Sequence, residues 1–337
     1  MARVGGLRVL VAGASGYTGA LAARLLWRHP EFELVAVTSR SDAGRRLDDL
    51  YPYHRVPLVL DALDLDRQGD VEAAIVAYPH GASAPVVAQL RERGIRVVDL
   101  SADFRLRDLE VYGEWYGEHG APELLPEAVY GLPELYREQV PDADVVANPG
   151  CYPTATLLAL APLARAGLIG DVVVDAKSGV SGAGRTASDT THFVSADENV
   201  TPYGVPRHRH RPEIDQELAA LGAPVVATFI PHLLPLDQGE LVSCYVTLAD
   251  GALTEQDLAA LYRDAYTGEP FIELVGRPPG VRDVRDTNIC RIHTRLDERT
   301  GKALVFAVID NLWKGAASQA VQNLNLMFGR PEGEGLR

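Results

Sequence analysis

The sequence predicts an α/β protein in which a parallel-sheet domain is followed by an α+β domain with a mixed or antiparallel sheet. Three observations favour this fold class. Short apolar runs alternate with helical patterns up to about residue 150, a glycine-rich turn follows the first run, and longer strand-like runs with few helices come afterwards. The 337 residues, 47% hydrophobic and 23% charged, are enough to form both domains.

In the first half, alternating strands and helices indicate βαβ units. Short apolar, β-rich runs predict strands at residues 7–12, 33–38, 73–77, 95–100 and 143–147. Leucines at helical spacing predict a helix over Tyr17–Trp27, and a second helix over Ala84–Arg93 is closed by Gly94 in the usual C-terminal position. We therefore expect a mostly parallel sheet here.

The pattern changes after residue 150. A helix predicted over Thr154–Ala166 is stopped by Gly167, and strand-like runs then follow at residues 172–176, 225–230, 241–248, 288–296 and 303–309. Two segments, Ser178–Gly184 and Thr201–Pro212, are expected to be loops that help to build a site. A last amphipathic helix is predicted over Ala316–Phe328.

Charge and composition exclude several classes of function. The chain has 32 Lys and Arg against 46 Asp and Glu, a net charge of −14, so binding to nucleic acid or to an anionic membrane is not expected. No apolar run approaches the roughly 18–20 residues that a membrane span needs. The three cysteines are too few and too scattered for a disulfide framework or a zinc site. We expect no metal, and a reducing cytoplasm as the location.

A glycine-rich turn between the first strand and the first helix predicts a dinucleotide site. Its sequence from Gly13 to Gly19 is Gly-Ala-Ser-Gly-Tyr-Thr-Gly, a spacing close to the Rossmann fingerprint, whose glycines let the backbone approach a pyrophosphate at a helix N-terminus. The residues of the turn expected to contact the cofactor are Gly13, Ser15, Gly16, Tyr17, Thr18 and Gly19.

The end of the second strand predicts which dinucleotide binds. No acidic residue, which would bind a ribose 2′-hydroxyl, stands there; instead Ser39 and Arg40 suit a 2′-phosphate. NADP(H) is therefore favoured over NAD(H). The alternative is that Arg40 is an ordinary solvated surface charge.

The strongest candidate nucleophile is Cys151, in the segment Asn148-Pro-Gly-Cys151 that follows the fifth strand. A cysteine just before a helix lies in the positive field of the helix N-terminus, which lowers the pKa of a thiol and favours the thiolate. Most single cysteines are small buried hydrophobes, and this is our interpretation of Cys244 and Cys290, which lie inside apolar strand patterns.

Two further groups of polar residues are candidates for the chemistry. His208 and His210 stand two residues apart in a polar segment, with Glu213 three residues beyond, and favour a histidine acid/base oriented by a carboxylate. A metal pair is disfavoured because no third ligand stands nearby, and a plain Arg/His surface cluster is the other alternative. Arg105, after the fourth strand, offers N–H donors that suit a phosphate or a carboxylate.

Taken together, these motifs resemble the N-acetyl-γ-glutamyl-phosphate reductases of arginine biosynthesis. The glycine turn, the Asn-Pro-Gly-Cys segment and the histidine loop carry the resemblance, and so do residues 101–105, 175–185, 231–233, 310–315 and 319–329. It extends from about residue 7 to about residue 330.

The resemblance implies a fold like that of aspartate-semialdehyde dehydrogenase. Residues 1–150 would bind NADP(H), joined by the C-terminal helix 314–330, and residues 151–313 would form the catalytic, substrate-binding and oligomerisation domain. A homodimer or homotetramer is implied. The site residues that it implies are Cys151 as nucleophile, His210 as acid/base with His208 as second choice, Arg105 and Asn148 as phosphate ligands, and Asn311 on the nicotinamide side.

The implied reaction is the NADPH-dependent reduction of N-acetyl-L-glutamyl 5-phosphate to the semialdehyde through a cysteine thioester. Two segments depart from the family pattern: Gln238 stands where an arginine is usual, and Asp286-Thr-Asn288 replaces Gly-Ser-Asn. A sister family reduces an aminoadipyl or glutamyl phosphate attached to a small acidic carrier protein, and remains an alternative. A second alternative is a regulator that binds NADPH without catalysis.

Overall fold

The computed structural model describes residues 5–249 and 253–336. These form two compact units. The first contains the chain up to Gly150 and again from Ala316 onward, and the second contains Cys151–Gly315.

The first unit is built on a seven-stranded sheet in which every pairing is parallel. Its strands are β1 (Leu7–Ala12), β2 (Phe32–Thr38), β3 (Leu60–Asp61), β4 (Ala73–Val76), β5 (Arg96–Asp99), β6 (Ala128–Tyr130) and β7 (Val145–Ala147). Its helices before residue 150 are α1 (Tyr17–Arg28), α2 (Leu47–Leu50), α3 (Ala84–Glu92), α4 (Leu109–Tyr116) and α5 (Pro133–Tyr136). The strand order is β3-β2-β1-β4-β5-β7-β6.

The second unit contains a seven-stranded mixed sheet. Its strands are β8 (Ile169–Gly179), β9 (Thr201–Pro202), β10 (Thr228–Leu234), β11 (Glu240–Leu248), β12 (Ile272–Leu274), β13 (Cys290–Asp297) and β14 (Lys302–Ile309), in the order β12-β13-β14-β11-β8-β10-β9. Its helices are α6 (Cys151–Arg165), α7 (Phe193–Ala196), α8 (Arg211–Ala220) and α9 (Glu255–Tyr266). The pairings of β8 with β10 and of β12 with β13 are parallel, and the others are antiparallel.

Helix α6 is the centre of the second unit and is covered on every side. All of its residues from Tyr152 to Ala164 are buried, and it packs on β11, β14 and β8. The phenols of Tyr262 and Tyr266 in α9 donate hydrogen bonds to the carbonyl oxygens of Ala159 and Leu158, both at 2.5 Å. A helix without a polar face is stable only when it is covered on all sides, and α9 supplies part of that cover.

The chain returns to the first unit at its end. A π-helical turn, Trp313–Ala317, leads into α10 (Ser318–Met327), and α10 packs against α1 and β5. The helix predicted over residues 316–328 is therefore present with slightly different bounds. Within the described residues, no helix combines the length and the hydrophobicity that crossing a membrane requires.

The predicted fold class is confirmed: a parallel sheet comes first and a mixed sheet second. The expectation of few helices in the second half was wrong, because it missed α8 and α9. The segment Thr201–Pro212 is also less of a loop than expected, since it begins with the short strand β9 and ends inside α8. Similarly, β8 continues to Gly179, into the predicted Ser178–Gly184 loop.

Candidate active site

In the first unit, the glycine turn has the close backbone packing that its sequence predicts. Gly13 has φ +85°, and a Cβ at this position would lie 2.6 Å from the carbonyl oxygen of Ala77. A Cβ on Gly19 would overlap the carbonyl oxygen of Gly13. A Cβ on Gly16 would find its nearest atom at 3.8 Å, so Gly16 is not required by packing within the chain. Its open position suits a close approach by a ligand.

The turn is anchored to the end of β2. The N–H groups of Gly13 and Ala14 both donate to the carbonyl oxygen of Thr38, at 3.0 and 2.9 Å. The hydroxyl oxygens of Ser15 and Ser39 are 2.8 Å apart in a hydrogen bond, so these two predicted cofactor residues meet. Helix α1 begins at Tyr17 with no side-chain cap and no acidic residue in its first turn. This leaves an N-terminus that fits the pyrophosphate of a dinucleotide.

Arg40 lies beside this turn, just after β2. Its side chain is exposed, and its guanidinium carbon lies 4.8 Å from the centre of the Tyr78 ring. The ring therefore supports a cation at the end of β2, where an NADP 2′-phosphate would be read.

Arg105 and Asn148, the two predicted phosphate ligands, lie together in the first unit. The guanidinium of Arg105 donates from Nε to the carbonyl oxygen of Asn148 and from Nη2 to that of Leu100, both at 2.7 Å. The amide oxygen of Asn148 accepts a hydrogen bond from Nδ2 of Asn323 at 3.2 Å. Arg105 is 5% exposed, so burial and the backbone hold this cation in place.

Asp103, another residue of the Ser101–Arg105 motif, has a structural role at the start of α3. The carboxylate of Asp103 accepts hydrogen bonds from the N–H groups of Gly81 and Ala84, at 2.7 and 2.9 Å, and from the phenol of Tyr112 at 2.9 Å. Ala84 begins α3, so Asp103 satisfies a free N–H at that helix end.

In the second unit, Cys151 is the first residue of α6 and is only partly buried. It therefore lies within the N-terminal turn rather than before it. A Cβ at Gly315 would lie 2.8 Å from Cβ of Cys151 and 3.3 Å from Cδ1 of Ile309. Only glycine leaves room for the cysteine here, which explains the last residue of the Asp310–Gly315 motif.

The two candidate histidines lie against the ring of Tyr152, the residue after Cys151. The distances between ring centres are 5.6 Å from Tyr152 to His208, 5.9 Å from Tyr152 to His210 and 5.0 Å between the histidines. His210 stands at the start of α8, and Glu213, 1% exposed, lies in the first turn of that helix. The structure thus brings the cysteine segment and the histidine segment together.

Hydrogen bonding and burial distinguish the two histidines. Nδ1 of His208 accepts a hydrogen bond from the backbone N–H of His210 at 3.1 Å, so the proton of a neutral His208 is on Nε2. Burial, with a smaller effect of Arg209, lowers the pKa of His208 to about 4. His208 is therefore neutral near pH 7 and cannot supply a charged imidazolium there.

Asn311 has a clear structural role. Its amide oxygen accepts a hydrogen bond from the N–H of Gly239 at 2.7 Å, and its amide nitrogen donates to the hydroxyl of Ser181 at 3.0 Å. The side chain is 2% exposed. It joins the segment before β11 to the segment after β8, and a contact with nicotinamide remains a prediction.

The two departures from the family pattern contact each other. Nε2 of Gln238 donates to the carboxylate of Asp286 at 2.8 Å, and the neighbouring Arg285 and Asp237 form an ion pair at 2.8 Å. Asp286 has φ +58°, a left-handed conformation that glycine adopts more readily. This accounts for the glycine that is usual at that position.

Two residues that interact with Cys151 or Tyr152 were not predicted from the sequence, namely Tyr203 and Glu240. The phenol of Tyr203 donates to that of Tyr152 at 3.3 Å. Burial raises the pKa of both tyrosines well above the usual range, so both are neutral hydrogen-bonding groups. Glu240 is completely buried. The sequence does contain an indication of Glu240, because it alternates with Val242 and Cys244 along β11 and so lies on the same buried face of the strand.

Comparisons with known proteins give a consistent result. The model of the semialdehyde dehydrogenase NAD binding domain matches residues 8–143, and that of the semialdehyde dehydrogenase dimerisation domain matches residues 151–311. An N-acetyl-gamma-glutamyl-phosphate reductase of Moorella thermoacetica is 51% identical, covering 96% of this chain and 95% of its own length. The reductase of the same name from Rubrobacter xylanophilus is 50% identical, covering 98% of each.

Solved structures are similar in fold at lower identity. Aspartate semialdehyde dehydrogenase II of Vibrio cholerae is 20% identical with a TM-score of 0.73, covering 96% of this chain and 98% of its own. The aspartate semialdehyde dehydrogenase of Candida albicans, solved with NADP, is 15% identical with a TM-score of 0.73 and the same coverage.

The three cysteines are expected to differ sharply in reactivity. Cys151 is partly exposed at a helix N-terminus, whereas Cys244 and Cys290 are 1% and 0% exposed, and burial raises the pKa of Cys244 well above its usual value. Iodoacetamide should therefore modify Cys151 first, as measured by peptide mass spectrometry over time. Equal rates at the three cysteines in folded protein would contradict this assignment.

Proposed function

The chain belongs to the N-acetyl-gamma-glutamyl-phosphate reductase family, and we propose from this premise that it catalyses the NADPH-dependent reduction of N-acetyl-L-glutamyl 5-phosphate. The products are N-acetyl-L-glutamate 5-semialdehyde and phosphate, a step of arginine biosynthesis. The observation that carries the proposal is the cluster in the second unit, where Tyr152, next to Cys151, contacts both His208 and His210. The family resemblance stated from the sequence is confirmed.

In the first step, Cys151 acts as the nucleophile. The thiolate attacks the carbonyl carbon of the acyl phosphate, the S–C bond forms, and the C–O bond to phosphate breaks with its electron pair leaving on phosphate. The result is a thioester on Cys151, which divides a difficult reduction into two easier steps. The position of Cys151 at the start of α6 supports this role, since the helix N-terminus stabilises negative charge.

NADPH, when bound, supplies the hydride that reduces the thioester. His210 then protonates the oxygen of the resulting thiohemiacetal, and takes the proton back when the C–S bond breaks and the aldehyde leaves. We assign the acid/base to His210 because His208 is neutral and its Nδ1 is occupied by the backbone N–H of His210. Glu213 orients His210 from the first turn of α8.

We assign the two halves of the chain to different tasks. Residues 1–150, with the C-terminal helix 314–330, bind NADP(H) through the glycine turn, Ser39 and Arg40. Residues 151–313 carry the catalysis and oligomerisation, and Asn311 serves the nicotinamide side. Arg105 and Asn148 bind the phosphate group of the substrate, since Arg105 is a buried cation held by backbone carbonyls.

A homodimer or homotetramer formed through the second unit fits the match to a dimerisation domain. One face of its sheet carries half-exposed or exposed side chains, among them Leu241, Tyr245 and Phe306, which a second copy would cover. A catalytic thiol requires reducing conditions, so we place the enzyme in the cytoplasm.

The carrier-linked reductase remains the second candidate because Gln238 replaces the usual arginine and Arg207, Arg209 and Arg211 stand close together in the sequence. A free N-acetyl substrate should nevertheless be turned over without a carrier protein, measured as NADP⁺ reduction in the reverse direction with N-acetylglutamate semialdehyde and phosphate. Activity only with carrier-bound substrate would overturn the proposal. Gln238→Arg should lower the KM for the free substrate if a binding arginine is missing.

Arg40 should select the cofactor. A charge-assisted hydrogen bond contributes about 1.5–3 kcal/mol, so Arg40→Ala should weaken NADPH binding by about tenfold or more. Binding of NADH, which has no 2′-phosphate, serves as the internal control and should be nearly unchanged in a fluorescence titration. Equal losses for both cofactors would show that Arg40 supports the turn instead.

The nucleophile and the acid/base should differ in the size of their effects. Cys151→Ser exchanges a thiol for a hydroxyl of far higher pKa, so turnover should fall by several orders of magnitude. His210→Asn should lower turnover by about 10²–10⁴-fold, the usual contribution of a general acid or base. NADPH binding should be retained in both variants. Near-normal turnover by Cys151→Ser would falsify the thioester mechanism and leave only direct hydride transfer to the acyl phosphate.

A further inference from the structure

Glu240 is a charged residue type in an apolar position. It begins β11, whose alternate residues Val242, Cys244 and Val246 are buried with at most 1% exposure, and Glu240 itself is 0% exposed. Neither of its carboxylate oxygens has a hydrogen bond of ordinary geometry with any residue that the structure describes. Leaving a buried carboxyl in this state is costly, so a structural role in stabilising the fold does not explain it.

The sheet register and the packing at Gly315 together bring Glu240 near Cys151. Glu240 lies directly opposite Ser178 on β8 and Ile309 on β14, so the three side chains share one face of the sheet. Ile309 and Cys151 both lie against the same glycine, Gly315, at the distances given above. The Cys151 thiol and the Ser178 hydroxyl are both near enough to the Glu240 carboxyl to lower its pKa.

The surroundings keep the Glu240 carboxyl protonated at pH values at which an ordinary carboxyl is ionised. Burial raises the pKa of Glu240 to about 8, Cys151 and Ser178 lower it, and Asp310, which lies after β14, raises it. The phenols of Tyr152 and Tyr203 also interact electrostatically with both Cys151 and Glu240. Both phenols stay neutral at the pH values at which the thiol and the carboxyl lose their protons.

We propose that Glu240 is the base that takes the thiol proton of Cys151. In the attack on the acyl phosphate, the S–H bond breaks, an O–H bond forms on the Glu240 carboxylate, and the sulfur electron pair forms the S–C bond as phosphate leaves. When the thiohemiacetal collapses, the C–S electron pair returns to sulfur and the proton returns from Glu240. His210 is then left to serve only the substrate oxygen.

This role deepens the proposed function and depends on Cys151 being the nucleophile. A base whose pKa lies near the working pH is the most effective in proton transfer. It also assigns the two protons of the reaction to two separate groups, because Glu240 acts on sulfur and His210 acts on oxygen. The sequence places these groups on different elements, β11 and the start of α8.

The test is the rate of Cys151 alkylation by iodoacetamide between pH 6.5 and 10, measured without substrate or cofactor. The wild-type rate should rise in two steps, the first near pH 8, because the thiol and the carboxyl share one proton before the second is lost. Glu240→Gln should give a single step and a rate at pH 7.5 lower by about tenfold or more. A Glu240→Gln profile that superimposes on the wild type, or a faster rate at pH 7.5, would overturn the proposal.

A matched control is Glu217→Gln. Glu217 is also 0% exposed in the second unit, but its carboxylate accepts a hydrogen bond from Nε2 of Gln216 at 2.8 Å and does not influence the pKa of Glu240. This variant should keep both steps of the profile. Alkylation requires no turnover, so it tests the role of Glu240 separately from the proposed reaction. If the proposed reaction were wrong but Glu240 still took the thiol proton, the alkylation profile would keep its two steps.

Thermal unfolding gives a second readout that does not depend on Cys151. The pKa of Glu240 is higher in the folded protein than in the unfolded chain, so this carboxyl contributes stability at low pH that is lost as pH rises toward and through 8. Gln at this position does not titrate. The Tm of Glu240→Gln minus that of the wild type should therefore become more positive from pH 5 to pH 9, and a constant difference would overturn the proposal.

Discussion

The close contact between Cys151 and Gly315 is the constraint on which the site in the second unit depends. A side chain at Gly315 would overlap Cβ of Cys151. Only glycine therefore fits at this position, where the segment after β14 lies against the start of α6. Helix α6 is in turn held by the sheet below it and by the tyrosines of α9. Since the thiol is at the first residue of a helix that is buried along its length and packs on β11, its position relative to that strand is set by packing.

Rigid packing around the thiol allows weakly interacting polar groups to be placed accurately. The ring of Tyr152 makes edge-to-face contacts with both histidines. Nδ1 of His208 accepts a hydrogen bond from the backbone N–H of His210. These contacts leave the two histidines chemically different although they are two residues apart. Both side chains are partly buried, and its lowered pKa keeps the imidazole of His208 neutral near pH 7.

The sequence was sufficient for the features that depend on local pattern. The alternation of strands with helices predicted the parallel sheet, and the glycine turn predicted the backbone contacts of Gly13 and Gly19. The sequence also contains the signals of helix α9, since Thr254 and Asp257 form a capping box and Leu258, Tyr262 and Tyr266 recur at helical spacing. This helix was not predicted because the apolar runs on either side of it indicate strands. Glu240 could not be assigned from the sequence, because Cys151, Ser178 and Asp310 lie far from it along the chain and are brought near it only by the tertiary fold.

Covalent catalysis by Cys151 requires an acyl intermediate on its sulfur, and intact-protein mass spectrometry detects such an intermediate. The enzyme is mixed with the acyl phosphate in the absence of NADPH, quenched in acid, and weighed, with the Cys151→Ser protein treated in parallel. We expect one acyl adduct on the wild-type protein, mapped to Cys151, removed by hydroxylamine and absent from the variant. An enzyme that reduces the acyl phosphate when NADPH is added, yet never carries an adduct on Cys151 without it, would show that the reaction does not pass through a thioester.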